Sequence, residues 1–70
     1  MKKGDVVKCI SCQYGEFTVG QTYQVKAGYG DKDTVCHGLV GENAFIVSSD
    51  RDGDCYCLFP SCAYAEWELV

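Results

Sequence analysis

The run Ala44-Phe45-Ile46-Val47-Ser48, the break Asp50-Arg51-Asp52-Gly53-Asp54 and the run Cys55-Tyr56-Cys57-Leu58-Phe59 together decide the fold class of this chain. Two short apolar stretches flank a segment rich in Asp and Gly, the composition of two antiparallel strands joined by a polar turn. The spacing predicts a hairpin with arms at Ala44 to Ser48 and Cys55 to Phe59. Working outward, Pro60 fixes its own φ and lacks an N–H, so Pro60 to Tyr64 is expected to be a tight turn or a single 3₁₀ turn. Glu66-Trp67-Glu68-Leu69-Val70 then reads as a closing strand.

The same patterning extends toward the N-terminus. Asp5 to Ser11 alternates as a strand, with Val7 and Cys9 on one face and Val6, Lys8 and Ile10 on the other, so Cys9 is expected to face the core. Gln13 to Thr18 is a polar loop around Gly15. Gly20 to Lys26 is a second strand in which Tyr23 and Val25 alternate with Thr22, Gln24 and Lys26. Gly28 to Asp33 has loop composition, and Thr34 to Val40 is read as a short extra strand before the turn Gly41-Glu42-Asn43. No window keeps the apolar spacing of an amphipathic helix. Eight glycines punctuate short strands, and the expectation is an all-β fold, a small five- or six-stranded antiparallel barrel covering residues 1–70 as one domain.

Seventy residues allow one small core and exclude a multi-domain enzyme. Ten acidic against six basic residues give a net charge of −4, which opposes binding to a polyanionic phosphate backbone. Met1-Lys2-Lys3 leads into Gly4-Asp5-Val6-Val7-Lys8 and not into an apolar signal core, and no apolar run is long enough to span a membrane. The expectation is a soluble cytoplasmic protein whose thiols are kept reduced.

Lys3-Gly4-Asp5-Val6-Val7-Lys8-Cys9-Ile10, Thr18-Val19-Gly20-Gln21-Thr22-Tyr23-Gln24-Val25, the Asp-rich turn and Trp67-Glu68-Leu69-Val70 resemble the small SH3-like barrel proteins of tailed bacteriophages. The resemblance covers most of the chain. It implies an SH3-like barrel working in a bacterial cytoplasm. Leu58-Phe59-Pro60-Ser61-Cys62-Ala63-Tyr64 resembles the end of SH3 domains, which implies groove roles for Pro60 and Tyr64. The sequence departs from SH3 domains by one added residue before Tyr64 and by lacking their N-terminal tyrosine motif and paired tryptophans.

Six cysteines raise the question of metal, redox or packing roles. Cys9-Ile10-Ser11-Cys12 is a C-x-x-C, and zinc on Cys9 and Cys12 with Cys36 and His37 is the metal alternative, which requires Cys9 and Cys12 to leave the strand through a turn. Redox work is opposed by the absence of a helix after the motif and by about 10 Å between Cys9 and Cys12 in an extended strand. The simplest role for Cys9, Cys55 and Cys57 is as small strand residues in a tight barrel. Cys36 and His37, adjacent on a strand, point to opposite faces and cannot activate one another. Asp50 to Asp54 has acids at alternate positions, but its glycine falls where no EF-hand loop has one.

Nine aromatic residues exceed what so small a core hides, so several are expected at the surface. The function expected is a non-enzymatic protein-binding module acting on a host or phage protein through Tyr14, Phe17, Pro60, Tyr64 and Trp67. The alternative is a small zinc-binding protein.

Overall fold

Five antiparallel strands form two sheets in a computed structural model that describes residues 1–33, 35, 38–51 and 53–70. The strands are β1 (Val6–Cys12), β2 (Thr22–Gln24), β3 (Ala44–Ser48), β4 (Asp54–Leu58) and β5 (Ala65–Leu69). β1 lies between β2 and β5 in the larger sheet, and β3 pairs with β4 in the smaller. No helix occurs among the described residues. The chain is all-β, and the Cα radius of gyration is 10.7 Å, against roughly 11 Å for a compact chain of this length.

The hairpin is where its composition places it. Ala44 pairs with Leu58, Ile46 with Tyr56 and Ser48 with Asp54. The turn closes with the Ser49 N–H donating to the Gly53 carbonyl at 2.6 Å, and Gly53 supplies a φ of 97°. β2 is shorter than the alternation suggests, because the chain changes partner after Gln24. The Val25 N–H still donates to the Asp5 carbonyl at 2.7 Å, whereas the Lys26 N–H turns to the Ile46 carbonyl at 2.7 Å and Ala27 bridges Ile46. Of the extra strand expected at Thr34 to Val40, residues 34, 36 and 37 lie outside the described ones, and the described remainder forms no strand, only a single bridge of Leu39 to Lys32.

β3 is buried on both faces, with Ala44, Phe45, Ile46 and Val47 each at 0% exposure. Phe45 and Val47 join Val7, Cys9, Phe17, Val25, Cys57, Ala65 and Trp67 in the main core. Ala44 and Ile46 face a second, smaller cluster with Ala27, Val40 and partly buried Tyr56. The segment that supplies Ala27 and Val40 therefore lies over the outer face of the small sheet. Gly28 lets this segment approach the N-terminus: a Cβ there would meet backbone atoms of Met1 and lie 2.7 Å from the Lys2 Cα, while the Tyr29 N–H donates to the Met1 carbonyl at 2.9 Å.

Trp67 is the hub of the main core. Its ring meets Phe17 at 4.7 Å, Phe45 at 5.4 Å and Tyr23 at 5.9 Å between centroids, all edge to face. This corrects two of the expected partner-binding residues, since Trp67 is 2% and Phe17 3% exposed and neither can meet a partner. The alternation Glu66-Trp67-Glu68 carries the reason: with both glutamates outside, period 2 sends the tryptophan inside. Phe17 follows because the loop after Gly15, whose φ is 75°, folds back onto the indole.

Candidate functional site

The remaining expected partner-binding residues separate. Tyr14 is 64% exposed and Pro60 is exposed, whereas Tyr64 is half-buried. The Tyr64 hydroxyl donates to the Tyr56 carbonyl at 2.8 Å and lies 3.5 Å from Cys57 Sγ, so its oxygen is turned into the protein. Burial first, and Cys57 second, push its pKa above the ordinary tyrosine range. The Tyr64 hydroxyl is therefore committed internally, contrary to the groove role implied by the SH3 likeness.

One wall of Tyr64 lines a shallow depression of about 200 Å³ with Ser11, Gln13, Ser61, Cys62, Ala65 and Glu66 among its other walls. It forms where the end of β1 meets the connector between β4 and β5. The Gln13 N–H donates to the Tyr64 carbonyl at 2.9 Å, and the connector returns to β5 through a Ser61–Glu66 bridge and the Trp67 N–H, which donates to the Pro60 carbonyl at 2.7 Å. The Phe59–Pro60 peptide is cis. Gln13, Ser61 and Glu66 carry no motif of their own. The local Ser61–Glu66 bridge joins two of them, and only the long-range pairing of β1 with β5 and the Gln13–Tyr64 hydrogen bond bring in Gln13.

The loop that bears Tyr14 is fixed at its far end by Asp50. Its Oδ2 accepts from Thr18 Oγ1 and from Tyr23 Oη, both at 2.8 Å, and Tyr23 Oη accepts from the Thr18 N–H at 2.8 Å. Arg51 Nη1 donates to the Tyr14 carbonyl at 3.1 Å. The hydroxyl of Thr18, then that of Tyr23, hold the Asp50 carboxyl below the usual carboxylate range. A depressed carboxylate pKa stabilises the fold above the unfolded value, about 4, and the contribution fades as pH falls through the folded value. Asp50→Ala is therefore expected to lower the melting temperature at pH 7, and the gap from the parent protein is expected to narrow below pH 4. Thermal melts at both pH values measure it; a gap that does not change with pH would remove the carboxylate from this role.

The expected metal set does not assemble as described. Cys9 and Cys12 stay within β1 with no turn between them, and Cys9 is fully buried. Cys36 and His37 lie outside the described residues. Among the described residues, no group of three or more His, Cys, Asp or Glu side chains is arranged to hold a metal ion. The described cysteines, Cys9, Cys12, Cys55, Cys57 and Cys62, are thiols. Burial, with Cys12 second, raises the Cys9 pKa, and burial pushes the Cys57 thiol up to about 12. Cys12 goes the other way. Partial burial opposes its thiolate, but hydrogen bonds from the backbone of Phe17, Tyr14, Gly15 and Glu16 outweigh it and hold the pKa below the ordinary thiol range.

No helix among the described residues is long and apolar enough to cross a membrane. No protein-family model, no curated protein and no solved structure matches this chain.

Proposed function

We propose that this chain is an SH3-like barrel that acts as a non-enzymatic protein-binding module, with a bacterial host or phage protein as its partner. Two pairings outside the named strands support the barrel. Ala27 with Ile46 links the segment after β2 to β3, and Ser61 with Glu66 links the segment after β4 to β5, the two contacts a closed barrel requires between the sheets.

The observation that carries the binding reading is the depression between Gln13 and the Ser61 to Glu66 connector. Exposed Tyr14 follows Gln13 in the chain, and exposed Pro60 precedes Ser61. An exposed tyrosine offers a large, rigid and amphipathic contact at low entropic cost. Glu66 in the lining, on a chain of net charge −4, favours a partner segment carrying a cation. The binding residues are therefore Tyr14, Pro60 and the Tyr64 ring, without Phe17 and Trp67.

A protein captured from bacterial lysate by the reduced chain, then titrated into the ¹⁵N-labelled chain, tests this reading. Shifts are expected at Gln13 and from Ser61 to Glu66, and Tyr14→Ala is expected to weaken the complex at least about tenfold, or about 1.4 kcal/mol. Shifts confined to other surfaces, or unaltered affinity in Tyr14→Ala, reject it. Native mass spectrometry of the same sample addresses the metal alternative, because a stoichiometric zinc removed only by chelator would replace the binding reading.

A further inference from the structure

Three thiols gather around one small residue where β1 leaves the sheet. The register along β1 slips between Cys9 and Ser11, so that Cys9 opposes Trp67, Ser11 opposes Glu66 and Cys12 opposes Ala65. Ile10 is the residue without a partner, the signature of a β-bulge. In a regular strand the i, i+3 spacing of Cys9 and Cys12 would send them to opposite faces; the bulge cancels one residue and puts both on the face of Ala65 and Trp67. On the other flank of Ala65, the Cys62 N–H donates to the Ala65 carbonyl at 2.9 Å and its Sγ lies 3.6 Å from the same oxygen.

Positions that oppose residues two apart on a neighbouring strand stand about 6.6 Å apart at Cα, within the span a disulfide bridges. The 10 Å of the unbulged strand is outside it. The three thiols also differ in what they bond. Cys9 directs its S–H to the Ser11 carbonyl at 3.4 Å, and Cys62 directs its own to the Ala65 carbonyl. The backbone of Tyr14 to Phe17 instead favours the thiolate of Cys12 and lowers its pKa from the ordinary thiol value. Backbone amides beside a sulfur favour its thiolate form. Cys12 is partly buried and lies outside the lining of the depression that takes in its neighbours Ser11 and Gln13, while Cys9 is fully buried.

We propose that Cys12 and Cys9 form a thiol–disulfide exchange site for small-molecule disulfides, with Cys12 as the attacking sulfur and Cys9 as the resolving one. The Cys12 thiolate attacks one sulfur of the disulfide RSSR. The S–S bond of RSSR breaks, a Cys12–S–S–R bond forms, and RS⁻ leaves and takes a proton from water. Cys9 then gives its proton to water and its sulfur attacks Cys12 Sγ, forming the Cys9–Cys12 disulfide and expelling the second RS⁻, which is protonated in turn. Two protein thiols are oxidised and one small disulfide is reduced to two thiols. This site does not depend on the protein-binding reading.

The test incubates the folded, reduced chain with oxidised glutathione, quenches with N-ethylmaleimide and maps the products by mass over time. The expected course is a glutathionyl group first on Cys12, then its loss with a Cys9–Cys12 link, and Cys9→Ala is expected to trap the mixed disulfide. Should Cys9→Ala fail to fold, the parent chain still decides: Cys12 is expected to react severalfold faster than Cys55 and Cys62 in buffer and at a similar rate to them in urea. A first adduct on Cys55 or Cys62, an equal Cys12 rate in buffer and urea, or a mixed disulfide that Cys9 never resolves would overturn the proposal.

Discussion

Trp67→Ala is expected to leave the chain unfolded at 25 °C. The indole is 2% exposed and meets the rings of Phe17, Tyr23 and Phe45, so truncation opens a cavity bordered by three aromatic side chains on three different segments. Buried Trp→Ala costs about 3–5 kcal/mol, and a core this small rarely supplies more than about 3–5 kcal/mol of net stability. The substitution thus consumes the whole margin. Far-UV circular dichroism and amide dispersion in an NMR spectrum read the outcome; a cooperative melt within a few degrees of the parent would remove Trp67 from the centre of the fold. Trp67→Phe is expected to keep the cooperative melt, because it retains a ring for the edge-to-face contacts and deletes an indole N–H that finds no hydrogen-bond partner among the described residues.

Ile46→Ala is expected to cost about 2–5 kcal/mol, as much as a change in the main core, although Ile46 faces the other side of β3. Its side chain is fully buried among Ala27, Val40 and Ala44, and its backbone both accepts from the Lys26 N–H at 2.7 Å and donates to the Ala27 carbonyl at 2.9 Å. With so few side chains in the second cluster, little can move in to fill the space. Denaturant melts give the cost, and amide exchange at Lys26, Ile46 and Val40 is expected to accelerate first. Ile10→Ala is the control. At 51% exposure it is expected to change stability by no more than about 0.5 kcal/mol. If the two substitutions cost the same, the second cluster carries no stability of its own.

Several structural features were legible in the sequence because they depend on periodicity. The hairpin follows from two apolar runs and an Asp-Gly break. The inward side chains of Val7 and Cys9 follow from period 2, and so does Trp67 between two glutamates. For Trp67 the number of aromatics points to the surface and the alternation Glu66-Trp67-Glu68 points inward, and its burial follows the alternation. For Phe17 there was no local signal, since it lies in a loop and is buried only because the loop folds back on the indole.

The candidate sites were much less legible. Tyr14 stands out as an exposed aromatic in a polar loop, but the depression beside it needs the end of β1 to pair with β5 and its connector, a contact between distant segments that no local pattern records. Cys9 and Cys12 show the same limit from the other side. As sequence they are a C-x-x-C in an extended strand, too far apart to react. In the sheet, the bulge at Ile10 puts them on one face, and the backbone of residues 14 to 17 lowers the pKa of Cys12.

By itself the sequence determined that the chain is all-β, where the hairpin lies and which side chains of each regular strand turn inward, because side-chain direction in a strand is a local property with a period of two. Only the tertiary structure decided the register of β1 against β5, the double burial of β3 and the gathering of thiols around Ala65. Each of these depends on which distant segment supplies the neighbouring hydrogen bonds. A one-residue slip in that choice reverses the face of every side chain beyond it.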